Sequence, residues 1–238
     1  MSIPSSEQSR ISNHLLRALP EEDFQRLAPH LQPVSIELSQ VICEAGEALS
    51  QAYFITEGMV SLISSTTAGE TVEVGMIGNE GMLGVPMLFK CDHLPYQIMV
   101  QMSGSALTVP MEVMEREFAR GGSLHDLLLR FACTLIMQLT QLGLCNHFHT
   151  IEERLCRWLL VLHDYARADT VQMTQELLAS MLGVRRTGVS MVAGTLQAAG
   201  LISYRRGRIT ILNRDALAAS ACECYAIIRA EYEPLLMF

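Results

Sequence analysis

The spacing of apolar positions changes character several times along the chain. Between residues 5 and 32 it is helical: Ile11, Leu15, Leu16 and Leu19, then Phe24, Leu27 and Leu31, punctuated by Pro20, Pro29 and Pro33. Two or three short helices are predicted there. From Val34 to Pro110 apolar and polar residues alternate in brief runs: Val34–Leu38, Val41–Cys43, Tyr53–Thr56, Met59–Ile63, Val72–Ile77, Gln97–Met102 and Ala106–Val109. Gly46, Gly58, Gly69, Gly78, Gly81, Gly84 and Gly104 are expected at turns or bends. Many short strands at close spacing predict a small antiparallel β-barrel of jelly-roll or cupin-like type.

The helical period then returns. Leu124, Leu128, Phe131, Leu135, Gln138, Leu142 and Cys145 follow a heptad spacing. Such a stripe can pack on the barrel of its own chain, or it can form a parallel two-helix seam between subunits. Leu127, Leu129, Ala132, Ile136 and Leu139 supply a second apolar side that can cover the barrel. That favours the seam, with Leu124, Leu128, Phe131, Leu135, Gln138 and Leu142 on a dimer helix and Gln138 fixing register. Thr150-Ile-Glu-Glu153 has the form of a capping box and starts a new helix through Leu162. Asn146–His149 is the break before it and the expected hinge. The histidines around it, His147, His149 and His163, read as hinge polarity or surface rather than metal ligands.

Residues 173–202 carry the most informative pattern. Thr174 caps a short helix whose inner face is Leu177, Leu178 and Met181, and Gly183 ends it. Val184 is the apolar turn residue. A second helix from about Arg186 turns Val189, Val192, Ala193 and Leu196 inward, which leaves Arg185, Arg186, Thr187, Gly188, Ser190 and Met191 outward. Cationic and short side chains on the first turns are what a recognition helix needs in a major groove. Arg can donate twice to guanine, Thr and Ser suit phosphates, and Met191 can touch a thymine methyl. Thr174 and Gln175, at the start of the first helix, join this DNA-binding set. The apolar-Gly-apolar turn is weakly specific by itself. Directly after it, Leu201–Leu212 forms two β-prone runs joined by Arg206-Gly207-Arg208. With Arg205, this makes a basic hairpin that can lie along phosphates as a wing.

Charge sharpens this reading. The net charge is −8, from 17 Lys and Arg against 25 Asp and Glu, which looks wrong for a DNA binder until its distribution is followed. Residues 171–213 hold Arg185, Arg186, Arg205, Arg206 and Arg208 against the single acid Glu176, with Arg154 and Arg157 on the helix before. The acidic excess lies in the first 150 residues.

The sequence of barrel, long helix, hinge and winged helix resembles the Crp/Fnr family of bacterial transcription regulators along nearly the whole chain. Tyr53-Phe-Ile-Thr-Glu-Gly58, Gly81-Met-Leu-Gly84 and Thr174–Arg208 carry the resemblance. It implies an α+β fold: a sensor barrel with N-terminal helices over residues 1–110, a dimerisation helix and hinge over 111–149, and a winged helix-turn-helix over 150–238. It also implies a homodimer on a two-fold symmetric operator in double-stranded DNA, with RNA polymerase as a further candidate partner. Members that bind cyclic nucleotides place Glu where Met82 stands and Arg in the stretch matching Asp92–Gln97, which has none. A phosphate buried without a cation is costly, so an effector other than cyclic AMP is expected. Met82, Leu83, Tyr96 and Gln97 are the candidate effector contacts. Oxygen-sensing members hold an iron-sulfur centre with N-terminal cysteines, and Cys43 is the first cysteine here. Many members carry Glu at the position of Thr187, so the half-site need not be the family's usual one.

Seven cysteines, mostly within apolar runs, read as reduced thiols of a cytoplasmic protein. No Cys-x-x-Cys occurs, and Cys222 and Cys224, read as two apart on one helix, would point to different sides. No metal and no cofactor is expected. Cys91 is the best thiol for an alternative function as a redox or small-molecule sensor with the same DNA-binding output. No run of eighteen uninterrupted apolar residues predicts a membrane span. No Gly-x-Ser-x-Gly, phosphate loop or paired acids point to an enzyme.

Overall fold

In a computed structural model, which describes residues 8–166 and 168–236, Asn13 organises the first turn of helix α1 (His14–Ala18). Its carboxamide oxygen accepts from Leu16 N, while Nδ2 donates to the carbonyls of Ile55 and Gly81. Asn13 is fully buried, and these bonds satisfy both ends of its amide. Helix α2 (Glu21–Leu27) and a 3₁₀ turn (Ala28–His30) follow, burying Phe24 and Leu27.

Strands β1 (Gln32–Ile36), β2 (Val41–Cys43), β3 (Gln51–Ser65), β4 (Thr71–Ile77), β5 (Met82–Leu83) and β6 (Gln97–Pro110) form one sheet. Its path is β1-β6-β3-β4, with β2 on β6 and β5 on β3. The antiparallel sheet matches the expectation, but its hydrogen bonds do not close it into a ring. Two pairs of predicted runs prove to be single long strands, because Gly58 and Gly104 sit inside β3 and β6 rather than in turns. A Cβ on Gly58, at φ +88°, would lie 2.4 Å from the Met102 carbonyl oxygen, and one on Gly104 would lie 2.1 Å from that of Glu57. The two strands approach too closely there for any side chain.

Helix α3 (Val85–Leu88) leaves β5, and α4 (Met111–Ala119) leads to α5 (Ser123–Phe148). The C-terminal part holds α6 (Ile151–Ala166), β7 (Thr170–Gln172), α7 (Gln175–Leu182), α8 (Arg186–Ala198), β8 (Ile202–Arg205), β9 (Arg208–Ile211), α9 (Arg214–Ala219) and α10 (Cys224–Leu236). Two compact units result. One comprises the stretch up to Leu62, Gly75–Met137 and the chain from Glu231, and the other comprises Ile63–Val74 and Gln138–Ala230. Helix α5 is thus divided between them, and the tip of the β3–β4 hairpin belongs to the second.

The expected dimer seam is corrected by burial. Leu124, Leu128, Phe131, Leu135, Gln138 and Leu142 are all buried within the chain, Phe131 completely. A Cβ on Gly81 would meet the Phe131 ring at 2.5 Å, so that ring fills the space above the glycine. The heptad stripe is core. The opposite side of α5 is the exposed one: Leu129, Ile136, Met137, Leu144 and Phe148 are 40–74% exposed, with Cys133 and Thr140 also at the surface. Periodicity located two apolar sides, and packing decided which one faces inward. By length and hydropathy α5 also qualifies as a membrane span, since an 18-residue window averages 1.5 although polar residues interrupt it. That window is 44% buried inside the chain.

Candidate nucleic-acid interface

The second unit builds its reading surface on a buried frame. The Thr150 hydroxyl accepts from Glu153 N at 3.3 Å, and the Glu153 carboxylate accepts from Thr150 N at 2.8 Å, which makes the expected capping box of α6. The Thr150 hydroxyl also donates to that carboxylate at 2.7 Å, and this bond, with the one from Thr150 N, holds the Glu153 carboxyl below its ordinary value. Trp158, fully buried on α6, donates from Nε1 to Glu73 at 3.2 Å, and Thr71 and Ser180 share a 2.5 Å hydroxyl bond. The β3–β4 tip is therefore bound to the helices that carry the reading head.

Arg154 and Arg157, counted above among the basic residues near the reading head, are 6% and 3% exposed and do not belong to its surface. Arg154 donates to the carbonyl of Leu182, at the end of α7, where helix carbonyls lack intrahelical partners. Nε and Nη1 of Arg157 have no hydrogen-bond partner.

Thr174 caps α7, accepting from Leu177 N at 3.2 Å, and Gly183 ends it at φ +60°. Helix α8 buries Val189, Ala193 and Leu196. Arg185, Arg186 and Thr187 are exposed, and Met191 is 73% exposed, as expected for a helix offered to a groove. Two candidate residues play other parts. Gly188 is not on the outward face, because a Cβ there would lie 3.1 Å from Ile151 Cδ1; its lack of a side chain lets α8 approach the start of α6. Ser190 is half-buried and donates to Gln175 Oε1 at 2.6 Å, which ties α8 to the first turn of α7. Arg186 pairs with Glu176 at 2.9 Å, with both side chains more than 60% exposed.

The hairpin turns on Arg206 and Gly207, at φ +50° and +71°, the two positive values of a type I′ turn. Arg205 and Arg208 face each other directly across it. Tyr204 anchors the wing, its hydroxyl donating to the Met173 carbonyl at 2.9 Å and its amide to Gln197 Oε1 at 2.7 Å. Strand β7, unanticipated from the sequence, makes the wing a three-stranded sheet in the order β7-β9-β8. At three residues it is too short to show a period, and only its pairing with β9 defines it. Thr174, Gln175, Glu176, Arg186, Tyr204, Arg206 and Gly207 line one surface depression between the starts of α7 and α8 and the wing tip.

The effector candidates fare differently. Met82 and Leu83 are 0% and 1% exposed, paired across β3 with Phe54 and Tyr53, so they are core rather than an open pocket wall. Tyr96 is half-buried. Burial, with the nearby Cys43 and Cys91 thiols, pushes its phenol up to about 12. Gln97 Nε2 is bound to Glu44 at 2.8 Å. Burial, Glu47 and Glu44 raise the Cys43 thiol in turn. This corner is acidic and ill suited to a phosphate. Cys91 is exposed, but Lys90 beside it is paired with Glu115 at 2.7 Å.

The structure also gathers residues that the sequence reading kept apart. The ligand atoms of Cys145, His149, Cys222 and Cys224 all lie within 4.8 Å of one another. Cys222 precedes α10 rather than lying on it, so the two-residue spacing is not helical and both thiols turn the same way. Cys145 and Cys222 approach to 3.5 Å. The Cys222 hydrogen bond, helped by the charge of Arg157, brings the Cys145 thiol down to about 5, and the Cys222 thiol rises as the shared proton stays with it. The Cys145 bond also raises His149.

Comparison with known proteins accounts for both halves. Residues 33–120 match the model of the cyclic nucleotide-binding domain, and residues 153–220 match that of the Crp-like helix-turn-helix domain. The global nitrogen regulator of Synechocystis sp. is 25% identical over 209 residues, covering 82% of this chain and 92% of that protein. That of Synechococcus elongatus is 23% identical over 198 residues, with coverage of 79% and 89%. Among solved structures, a Crp/Fnr-family transcriptional regulator from Eubacterium rectale superposes with a TM-score of 0.68 at 15% identity, covering 86% of this chain and 96% of that one. FixK2 from Bradyrhizobium japonicum gives 0.67 at 16%, with coverage of 81% and 98%. With a sheet domain of the nucleotide-binding type, a long helix and a Crp-like winged helix in one chain, this protein belongs to the Crp/Fnr family of DNA-binding transcription regulators.

Proposed function

We propose that the chain works as a homodimer whose two reading heads occupy the halves of a two-fold symmetric operator. Arg186, with Thr187 and Met191, reads base edges, and Arg205, Arg206 and Arg208 hold phosphates. The observation that carries this reading is the depression lined by Arg186, Arg206 and the amino end of α7. Arg206 there lies beside the amino end of α7, a combination suited to phosphate, while Arg186, paired with Glu176 in the same depression, projects from the first turn of α8 toward the groove. In functional terms residues 1–110 sense, 111–149 couple the subunits, and 150–238 read DNA. The target places the protein in the cytoplasm, where it regulates by contacting RNA polymerase or by excluding it. The Glu44 carboxylate on Gln97 and the burial of Met82 support an effector other than cyclic AMP.

The outer face of α5 supports the dimer. Leu129, Cys133, Ile136, Thr140 and Gly143 are exposed and follow alternating steps of four and three, with Met137 and Leu144 flanking them. That is the seam of a parallel helix pair, and nothing lies within 4 Å of a Cβ built on Gly143, so a second helix can come close there. Ile136→Asp places a carboxylate at this seam, where desolvation costs several kcal/mol. Sedimentation should then show a folded monomer with at least about tenfold weaker operator binding, a loss of about 1.4 kcal/mol. A variant that remains dimeric excludes this face.

A further inference from the structure

We infer that Cys145, His149, Cys222 and Cys224 form a binding site for a single thiolate-preferring divalent metal ion, of which zinc is the best match. Three sulfurs and one imidazole are the donor set of a closed structural zinc site. The geometry fits. Metal–sulfur bonds of about 2.3 Å and metal–nitrogen bonds of about 2.0 Å arranged tetrahedrally set the donors roughly 3.8 Å apart for two sulfurs and roughly 3.5 Å for sulfur and nitrogen. Cys145 Sγ lies 3.5 Å from Cys222 Sγ, and Cys224 Sγ lies 3.5 Å from His149 Nδ1. All four donors fall within 4.8 Å of one another, which encloses one ion.

The surroundings are those of a ligand shell. His149 presents Nδ1 to Cys224, while its Nε2 lies 3.3 Å from the Glu223 carboxylate, which fixes the ring and makes it a better ligand. Gln141 Nε2 donates to Cys224 Sγ at 3.1 Å, a bond that favours the thiolate. Three thiolates around a divalent ion leave a net charge of −1. Arg157 is 97% buried by its 3% exposure, has two guanidinium nitrogens, Nε and Nη1, without acceptors, and acts electrostatically on Cys145. An anionic centre beside it offsets a buried charge that is otherwise uncompensated. On binding, the three thiols lose their protons to solvent and the imidazole binds as the neutral base, with no change of oxidation state. The ion would join the end of α5, the hinge residue His149 and the start of α10, all within the unit that carries the reading head.

The test uses the full chain, purified reduced and without chelator, and analysed for bound metal by mass spectrometry. About one zinc per chain is expected. Cobalt(II) added to the metal-free chain should give the thiolate charge-transfer and strong visible bands of a tetrahedral sulfur-rich site. Cys222→Ser should lose both signals, Cys91→Ser should keep them, and Glu223→Gln should weaken cobalt binding about tenfold or more. The reduced wild-type chain taking up neither metal overturns the inference. So does a folded Cys222→Ser chain that binds as before. If Cys222→Ser does not fold, the cobalt spectrum of the wild-type chain decides alone. None of these readouts depends on dimerisation or DNA.

Discussion

Arg205 and Arg208 stand directly opposite each other at the tip of the wing, one on each strand. Like charges in this position destabilise a hairpin, and Arg206 adds a third cation at the turn. Arg208→Thr should therefore leave stability unchanged or raise it slightly, while weakening DNA binding uniformly across sequences. The slope of log affinity against log salt should fall by about one phosphate contact. Melting curves and anisotropy titrations at several salt concentrations check both halves, and an unchanged salt slope contradicts the phosphate role.

The capping box at Thr150 gives a prediction with a pH sign. Thr150→Ala should cost about 1 kcal/mol at neutral pH. The Glu153 carboxyl is held below its ordinary 4.5, so its contribution is fully present above that value and fades as pH falls through the lower folded value. The penalty measured by urea unfolding should shrink on acidification to about pH 4 and below. An identical penalty at both pH values removes Glu153 from the cap.

The parts that were legible in the sequence are local ones. A cap at Thr174, a glycine at position 183 and an arginine-tipped hairpin each depend on a few adjacent residues, and the structure places them as read. What failed to show depends on distant partners. Both sides of α5 are apolar, and only the packing of Phe131 over Gly81 turns the heptad inward. Gly188 resembles an outward groove residue until Ile151 is found beside it. The cysteines at positions 145 and 222 meet because α10 begins at Cys224, a boundary without a sequence signal.

The sensor half yields a negative prediction. Met82 is fully buried where nucleotide-binding relatives place a glutamate, and Gln97 is occupied by Glu44. Calorimetric titration with cyclic AMP or cyclic GMP at millimolar concentration should show no binding heat. A micromolar dissociation constant would refute the assignment of Met82 and Gln97 to a region that takes no cyclic nucleotide.

The reading head itself turns on Arg186. In the free protein it is paired with Glu176 on the surface, an exposed contact worth at most about 1 kcal/mol, which a guanine with two acceptors can displace. The most direct test compares Arg186→Ala with wild type on the protein's own operator, located by genomic footprinting, and on random duplex of equal length at one salt concentration. A base contact predicts a loss of about 1–3 kcal/mol on the operator and a much smaller one on random DNA. Equal losses on both would show that Arg186 only holds phosphate, and would contradict the assignment of α8 as the helix that reads sequence.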